Sequence, residues 1–288
     1  MDSSGIDVIY NSEDAILLSA MIYQSYQLFE KEPLVLPNGY SLRYTIRALA
    51  GVEEPESEVF GFIAESQDKI IVVFRGTRTF KDNESDQDLY QVPYLFVRNT
   101  GKTHRGFTCI YQSVRNDLIK ALNKLSSRSK RLFVAGHSLG GALAVLAAFD
   151  FAVNTRFKNP FVYAYGSPRV GDPYFASRFN QTVKKSIRIF NVHDIIPTLP
   201  AQAYPPPFTK KGLYYRHVHK KYPVSFQLNS LPVRNHEIVC YFKNLSQQNP
   251  DFTKVLCGEN PGFCPDTGLC VPFIGICGEK TSTNNDKK

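Results

Sequence analysis

One stretch of the chain decides its fold class: residues 132–153 are LFVAGHSLGGALAVLAAFDFAV. Its first four residues are apolar and predict a buried strand, and the Ala- and Leu-rich part from Ala142 to Val153 predicts a helix. Between them lie Gly136, Ser138 and Gly140, which have the Gly-x-Ser-x-Gly spacing of a sharp strand-to-helix turn. Larger side chains two residues before or after the serine would collide with the strand and the helix. We therefore expect the serine hydroxyl to project above the carboxyl edge of a sheet.

Further segments with the character of strands and helices alternate along the chain. The run Ile70 to Phe74 is short, apolar and rich in β-branched residues, which is typical of a strand buried on both faces. Strands that alternate with helices predict an α/β fold, with a mostly parallel central sheet and helices on both faces. The other predicted elements are helices at Asp14 to Phe29 and Thr108 to Leu125, and strands at Val59 to Ala64, Phe161 to Tyr165 and Ile187 to Val192.

The composition excludes several classes of protein. The chain has 288 residues, of which 43% are hydrophobic and 21% charged, the balance of a globular protein rather than of a disordered or coiled-coil one. No run approaches the roughly 18 apolar residues of a membrane-spanning helix. The net charge of +8 is modest and dispersed, so it does not argue for a nucleic-acid partner.

The cysteines are concentrated near the C-terminus. Cys257, Cys264, Cys270 and Cys277 lie where Gly, Pro and Cys alternate without a helical or strand period, which predicts a domain at residues 1–256 and an irregular tail at 257–288. These four are either disulfide-bonded or metal ligands, and the absence of a Cys-x-x-Cys pair disfavours a metal. The remaining two, Cys109 and Cys240, are expected to be buried or half-buried thiols.

The first 13 residues carry acids and no Lys or Arg, unlike a secretory signal, which begins with a basic segment. The default expectation is therefore a cytoplasmic protein, although secretion by another route stays open. Disulfides in the tail would conflict with a reducing cytoplasm.

Ser138 is a candidate nucleophile, because a buried strand leads directly into the Gly-x-Ser-x-Gly motif and an Ala- and Leu-rich helix leads directly out of it. The alternative is an ordinary Gly-rich strand-to-helix turn with a capping serine. A serine hydroxyl needs a general base, and the base needs an orienting carboxylate. At such a turn the acid and then the histidine follow the serine in the chain. Asp194 follows the strand predicted at 187–192, at its carboxyl end, where ligands bind in open α/β sheets. His236 lies near the end of the predicted domain. We predict that Asp194 is the acid and His236 the base.

Other histidines and acids are weaker candidates. His193 directly precedes Asp194, while His217 and His219 lie in a basic, Tyr-rich segment that is expected to face solvent. Asp150 belongs to the helix after the elbow, the sharp turn at Gly136 to Gly140, and Asp172 lies in a Gly-Asp-Pro turn. Asp194 itself has the alternative role of forming a turn.

A tetrahedral oxyanion needs two hydrogen-bond donors. The backbone amide of Leu139 lies at the predicted helix N-terminus, where it faces developing negative charge. The amide of Thr77, which follows the strand at 70–74, is the predicted second donor.

Five motifs follow one another in the chain and are specific in combination. Together they resemble the class 3 lipase (fungal-lipase-like) family of the α/β-hydrolase fold over roughly residues 55–245, and they are most similar to signal-less bacterial members. The resemblance implies Ser138, Asp194 and His236 as the catalytic residues. It also implies Thr77 and Leu139 as the oxyanion hole, and a lid in the segment that follows the strand at 70–74 and Thr77. The motifs are Val72–Thr77, His104–Phe107, Ala135–Leu143, Tyr165–Asp172 and Asn191–Pro200.

The segment at the lid position, residues 78–89, departs from fungal lids. Its acids would make a poor anchor at an oil surface, so we expect little gain in activity from an interface. Their alternation resembles the start of a calcium loop, but Gln87 replaces the glycine and Pro93 the glutamate that such a loop needs. A solvated surface loop is the expected state. The acids are Asp82, Glu84, Asp86 and Asp88.

These observations predict a serine carboxylic-ester hydrolase, a triacylglycerol lipase or esterase, that works through an acyl-enzyme and needs no cofactor or metal. A phospholipase or an acyltransferase with the same triad is the alternative, and a non-catalytic lipid-binding protein is less favoured. The expected partner is a lipid or small ester, with no nucleic acid. Peripheral contact with anionic lipid is open to the basic residues between 210 and 221. The oligomeric state is not predicted.

Overall fold

The computed structural model describes residues 9–50, 56–77, 90–125, 129–204, 212–218, 220–227, 232–268 and 270. Over this part of the chain, a seven-stranded sheet has the order β1-β2-β3-β6-β7-β8-β11. The two strands at one edge run antiparallel, and the pairs from β3 to β11 are parallel. The predicted α/β fold with a mostly parallel sheet is confirmed.

The sheet strands are β1 (Ser41–Ala50), β2 (Glu56–Glu65), β3 (Lys69–Phe74), β6 (Arg131–His137), β7 (Phe161–Tyr165), β8 (Lys185–Asn191) and β11 (Lys220–Val224). Two small hairpins add β4 (Gln91–Pro93) with β5 (Lys102–His104), and β9 (Ala203–Tyr204) with β10 (Leu213–Tyr214). The helices are α1 (Ser12–Phe29), α2 (Arg105–Lys124), α3 (Leu139–Asn154), α4 (Pro173–Thr182), α5 (Ile238–Ser246) and α6 (Pro250–Glu259). Short 3₁₀ helices lie at Ile196–Thr198 and Pro232–His236.

Helices cover both faces of the sheet, as predicted. Alternate side chains of β3 show why, since Val72 packs into one apolar cluster and Val73 into the other. The first cluster contains α2, α3 and α4, and the second contains α1, α5 and α6. Burial of these apolar side chains is the main contribution to the stability of such a layered domain. Among the described helices, none combines the length and the apolar character needed to cross a membrane.

The parallel strands bring their carboxyl ends to one edge of the sheet. The chain leaves β3 at Phe74, β6 at His137, β7 at Tyr165 and β8 at Asn191. The segments that follow these strands therefore meet at this edge, which is where ligands bind in open α/β sheets.

Two disulfides lie near the C-terminal end of the described residues. Cys240 in α5 pairs with Cys270, and Cys257 in α6 pairs with Cys264. The expectation of a thiol at Cys240 is therefore wrong, and Cys109 is exposed rather than buried. The helix α6 extends across the predicted division at residues 256 and 257, and Cys277 lies outside the described residues.

Candidate active site

The nucleophile candidate Ser138 lies between β6 and α3 in a strained backbone conformation. Its φ is 58° and its ψ is −129°, a region that non-glycine residues seldom adopt and that tends to occur at functional sites. A Cβ on Gly140 would lie 2.3 Å from the carbonyl oxygens of Phe74 and Arg75, so the elbow packs directly against the end of β3. The predicted strand, turn and helix are all present.

Asp194 and His236, which are 42 residues apart, form a hydrogen-bonded pair. The His236 Nδ1 lies 2.6 Å from Asp194 Oδ2, and the carboxyl side chain of Asp194 is fully buried. The hydroxyl of Tyr241 donates to the same oxygen at 2.8 Å, and the backbone N–H of Ile196 donates to Oδ1 at 2.9 Å. Three donors therefore fix the carboxylate and leave it aimed at the imidazole.

The contact with Asp194 fixes which nitrogen of the His236 imidazole carries the proton. A carboxylate only accepts hydrogen bonds, so Nδ1 carries the proton and Nε2 of the neutral ring presents a lone pair. Nε2 is buried and has no hydrogen-bond partner among the described residues. The ring lies 4.5 Å, between centroids, from the ring of His137, the residue that immediately precedes Ser138. The structure thus brings the predicted acid and base together beside the elbow.

The predicted oxyanion donors flank Ser138. Leu139 is the first residue of α3, so its amide belongs to the helix N-terminus, where anionic groups are stabilised. Thr77 is half-buried and follows Gly76, at which a Cβ would lie only 2.7 Å from Ser138 Cβ. The segment at residues 76 and 77 therefore lies against the nucleophile.

Arg75, which the sequence did not identify, holds this segment in place. Its side chain is fully buried between the rings of Phe29 and Phe60, with the guanidinium carbon 4.0 Å and 4.5 Å from their centroids. It forms an ion pair with Glu58 at 2.7 Å and donates to the carbonyl of Gly76 at 2.7 Å. Removing this cation would take the guanidinium away from both the partly buried Glu58 carboxylate and the Gly76 carbonyl.

The other candidate acids have structural roles. Asp150 is buried in an ion pair with Arg115. Asp172 caps α4 by accepting from the N–H of Phe175 at 2.7 Å.

Of the other histidines, His193 is exposed. The expectation that His217 faces solvent is wrong, since it is half-buried and its Nε2 lies 2.6 Å from the carbonyl oxygen of Pro197. Burial, together with the nearby charge of Arg188, lowers the pKa of His217 to about 3.

No group of three or more His, Cys, Asp or Glu side chains suited to a metal ion occurs in the described part of the chain. The acidic segment at 78–89, to which the expectations of a lid position and a solvated surface loop refer, lies outside that part.

The sheet and the elbow define a protein of the α/β-hydrolase fold. The family model of class 3 lipases matches residues 71–204. Over this segment the chain is similar in sequence to the class 3 lipases. Its likeness to signal-less bacterial members stays a prediction.

Relatives with curated names agree with this similarity. The chain is 37% identical over 145 residues to the lipase of Rhizomucor miehei, 29% identical over 208 residues to a chloroplastic phospholipase A(1) of Arabidopsis thaliana, and 32% identical over 146 residues to a secreted mono- and diacylglycerol lipase of Malassezia globosa. The matches cover 49%, 57% and 46% of this chain and span 40%, 46% and 47% of the respective relatives. The chain thus spans less than half the length of each of these relatives.

The structural comparison agrees as well. The structure of the Rhizomucor miehei lipase in complex with its propeptide aligns with a TM-score of 0.57 and 27% identity. The alignment covers 78% of this chain and 70% of that one.

The expectation of a cytoplasmic protein is wrong. Among the relatives, one is named as secreted and another as chloroplastic. The two disulfides agree with this correction, because disulfides persist in oxidising compartments and are rare in the cytosol.

Proposed function

We propose that this chain is a serine carboxylic-ester hydrolase that acts on acylglycerols and similar esters through a covalent acyl-enzyme. One observation supports this above all: a buried carboxylate orients an imidazole whose Nε2 is unengaged among the described residues, beside a serine in a strained elbow. Such an arrangement activates a hydroxyl that is otherwise a weak nucleophile. The proposed chemistry needs no metal or organic cofactor.

In the proposed reaction, Ser138 Oγ attacks the ester carbonyl carbon while His236 Nε2 takes its proton. Asp194 holds Nδ1 and stabilises the charged imidazolium. The amides of Thr77 and Leu139 donate to the tetrahedral oxyanion. The imidazolium then gives its proton to the leaving alcohol, and an acyl-enzyme remains. Water attacks this ester with His236 again as base, which releases the carboxylic acid and restores the serine.

Exposed apolar side chains close to Asp194 in the chain support a lipid substrate. Val192, Ile195 and Leu199 are 54%, 51% and 44% exposed. Adjacent exposed apolar groups are a common feature of surfaces that meet lipid or ligand. Arg216 and Lys220, in the basic segment, are exposed as well and support peripheral contact with anionic lipid.

Two measurements test the proposal. The first is intact-mass labelling by a fluorophosphonate, which reacts with activated serines; we expect one label on the wild-type chain and none on Ser138→Ala. The second is hydrolysis of p-nitrophenyl esters from butyrate to palmitate, with Ser138→Ala as the matched control. Labelling that persists in Ser138→Ala, or esterase activity that does not depend on Ser138, would contradict the proposal.

A phospholipase is the second candidate, because a relative named as a phospholipase A(1) matches 57% of this chain. The same serine, histidine and aspartate serve both reactions, and only the substrate pocket differs. Hydrolysis of phosphatidylcholine vesicles at a higher kcat/KM than triacylglycerol emulsions would favour the phospholipase. The opposite ratio would favour the acylglycerol lipase.

A further inference from the structure

A chain of buried hydrogen bonds, which the reaction itself does not use, begins at Tyr26 of α1. The backbone N–H of Gly76 donates to the Tyr26 hydroxyl at 2.7 Å, and this hydroxyl lies 2.8 Å from His137 Nδ1. The opposite ring nitrogen, His137 Nε2, lies 2.6 Å from the backbone carbonyl oxygen of His236. The side chains of Tyr26 and His137 are both buried, with residue exposures of 5% and 4%.

The chemistry of the partners fixes the direction of this chain. A carbonyl oxygen only accepts, so His137 Nε2 carries a proton and donates to His236. In the neutral imidazole Nδ1 is then an acceptor, and the Tyr26 hydroxyl donates to it. The hydroxyl oxygen in turn accepts from Gly76. Donors and acceptors are therefore matched at every step of the path, whose first two bonds are buried and whose third is partly buried. A broken link in such surroundings is costly.

The chain of hydrogen bonds connects three segments that the proposed chemistry requires at fixed positions relative to one another. Gly76 immediately precedes Thr77, His137 immediately precedes Ser138, and the third link ends on His236 itself. The backbone of Gly76 packs closely against Tyr26, because a Cβ on Gly76 would lie 2.4 Å from the Tyr26 hydroxyl oxygen. The ring of His137 also packs against the ring of His236.

We infer that Tyr26 and His137 are positioning residues that hold the oxyanion donor, the nucleophile and the base at their working separations. The inference rests on the proposed function. Tyr26 is not itself part of the chemistry, and it lies on a helix outside the segment that matches the family model, residues 71–204. The N-terminal helix α1 thereby becomes a part of the catalytic apparatus rather than only a cover for the sheet.

A matched control separates positioning from ordinary structural support. Tyr163 is as buried as Tyr26, and its hydroxyl also ties the start of α1 to the sheet, through the N–H of Asn11 at 3.1 Å and the carbonyl of Ile9 at 3.2 Å. Tyr163→Phe removes a hydroxyl of β7 that contacts the residues at the start of α1, and Tyr26→Phe removes a hydroxyl near the end of α1. Only Tyr26→Phe cuts the path to the site.

The test measures kcat and KM on p-nitrophenyl butyrate, the urea midpoint of unfolding, and the rate of fluorophosphonate labelling for wild type and both variants. We expect both variants to lose similar stability. Only Tyr26→Phe should lose kcat and labelling rate, by about 10- to 100-fold with little change in KM, because small misplacements of reacting groups act at this scale. Equal kcat in the two variants would overturn the inference. A wild-type chain that neither hydrolyses nor labels would overturn the proposed function, and this inference with it.

Two substitutions of His137 test the same path if Tyr26→Phe does not fold. His137→Asn keeps a partner for the Tyr26 hydroxyl and loses the bond to His236, whereas His137→Gln has the reverse effect. We expect each to lower kcat. Where Tyr26→Phe does fold, the double variant Tyr26→Phe, His137→Gln should lose no more than the larger single loss, because both changes cut one chain. Losses that multiply, or His137 variants with wild-type kcat, would contradict the inference.

Discussion

Gly166→Ala probes the Asp194–His236 pair most sharply, because Gly166 touches both side chains without a side chain of its own. Its φ is +54°, and a Cβ built there would lie 2.9 Å from His236 Cε1, 3.0 Å from His236 Nδ1 and 3.0 Å from Asp194 Oδ2. The methyl group would therefore press on the hydrogen bond that orients the base.

The structure gives the size of the effect. The imidazole must retreat by about 0.5 Å, the difference between 2.9 Å and the 3.4 Å at which ordinary contact begins. Since misplacements of about 1 Å cost on the order of 100-fold in rate, we expect kcat to fall by about 10-fold or more. The left-handed backbone separately costs roughly 1–2 kcal/mol of stability in any residue with a Cβ.

Gly39→Ala is the control, because Gly39 has a φ of +83° and a Cβ there would meet nothing within 4 Å. Both variants are assayed for kcat on p-nitrophenyl butyrate and for unfolding in urea. We expect both variants to lose the roughly 1–2 kcal/mol of the left-handed backbone, with a further loss for Gly166→Ala from its close contacts. Only Gly166→Ala should lower kcat. If the two variants keep the same kcat, the geometry of the Asp194–His236 pair does not set the rate, and the reasoning fails.

Three further predictions follow from buried polar groups. Tyr241→Phe removes a donor from the Asp194 carboxylate, so it should cost about 1–3 kcal/mol in urea unfolding and lower kcat; unchanged values would mean that this bond contributes nothing. The pKa of His217, about 3 when folded and 6.5 when unfolded, means that the unfolded chain binds an extra proton between these values. The free energy of unfolding should therefore fall as the pH decreases, by about 2 kcal/mol at pH 5. His217→Gln should flatten the plot of this free energy against pH between pH 7 and 5. An equally steep plot for the variant would refute the prediction. Burial lowers the pKa of Arg188 to about 10, and its Nε has no hydrogen-bond partner among the described residues. Arg188→Met should therefore raise the free energy of unfolding by roughly 1–3 kcal/mol at pH 7. A lower free energy of unfolding would show that the guanidinium is stabilising.

The buried strands were predictable because their signal is local. The apolar runs in β3, β6 and β7 are continuous and bounded by turns, so their positions follow from the sequence to within about two residues. The edge strands β1 and β11 carry exposed and charged residues, which give no such run. The sequence does contain a signal for α6, since Asn249 caps it and Pro250 opens its first turn.

The predicted residues at the site are those with a chain order or a motif to identify them, namely Ser138, Asp194 and His236. Tyr26 and Tyr241 have no such signal, since an aromatic residue at helical spacing resembles any core residue. Their partners lie far away in the chain, 111 residues for Tyr26 to His137 and 47 for Tyr241 to Asp194. Contacts of this kind are set by the packing of the whole sheet and its helices, which a single sequence does not specify.

The central claim is that Ser138, His236 and Asp194 act as one unit with the amides of Thr77 and Leu139. A crystal structure of the chain after reaction with a p-nitrophenyl phosphonate ester tests it most directly. We predict a single phosphorus bonded to Ser138 Oγ, a phosphonyl oxygen within about 3 Å of both amide nitrogens, and His236 Nε2 facing Oγ. Phosphorus on another residue, or a phosphonyl oxygen directed away from both amides, would contradict the account.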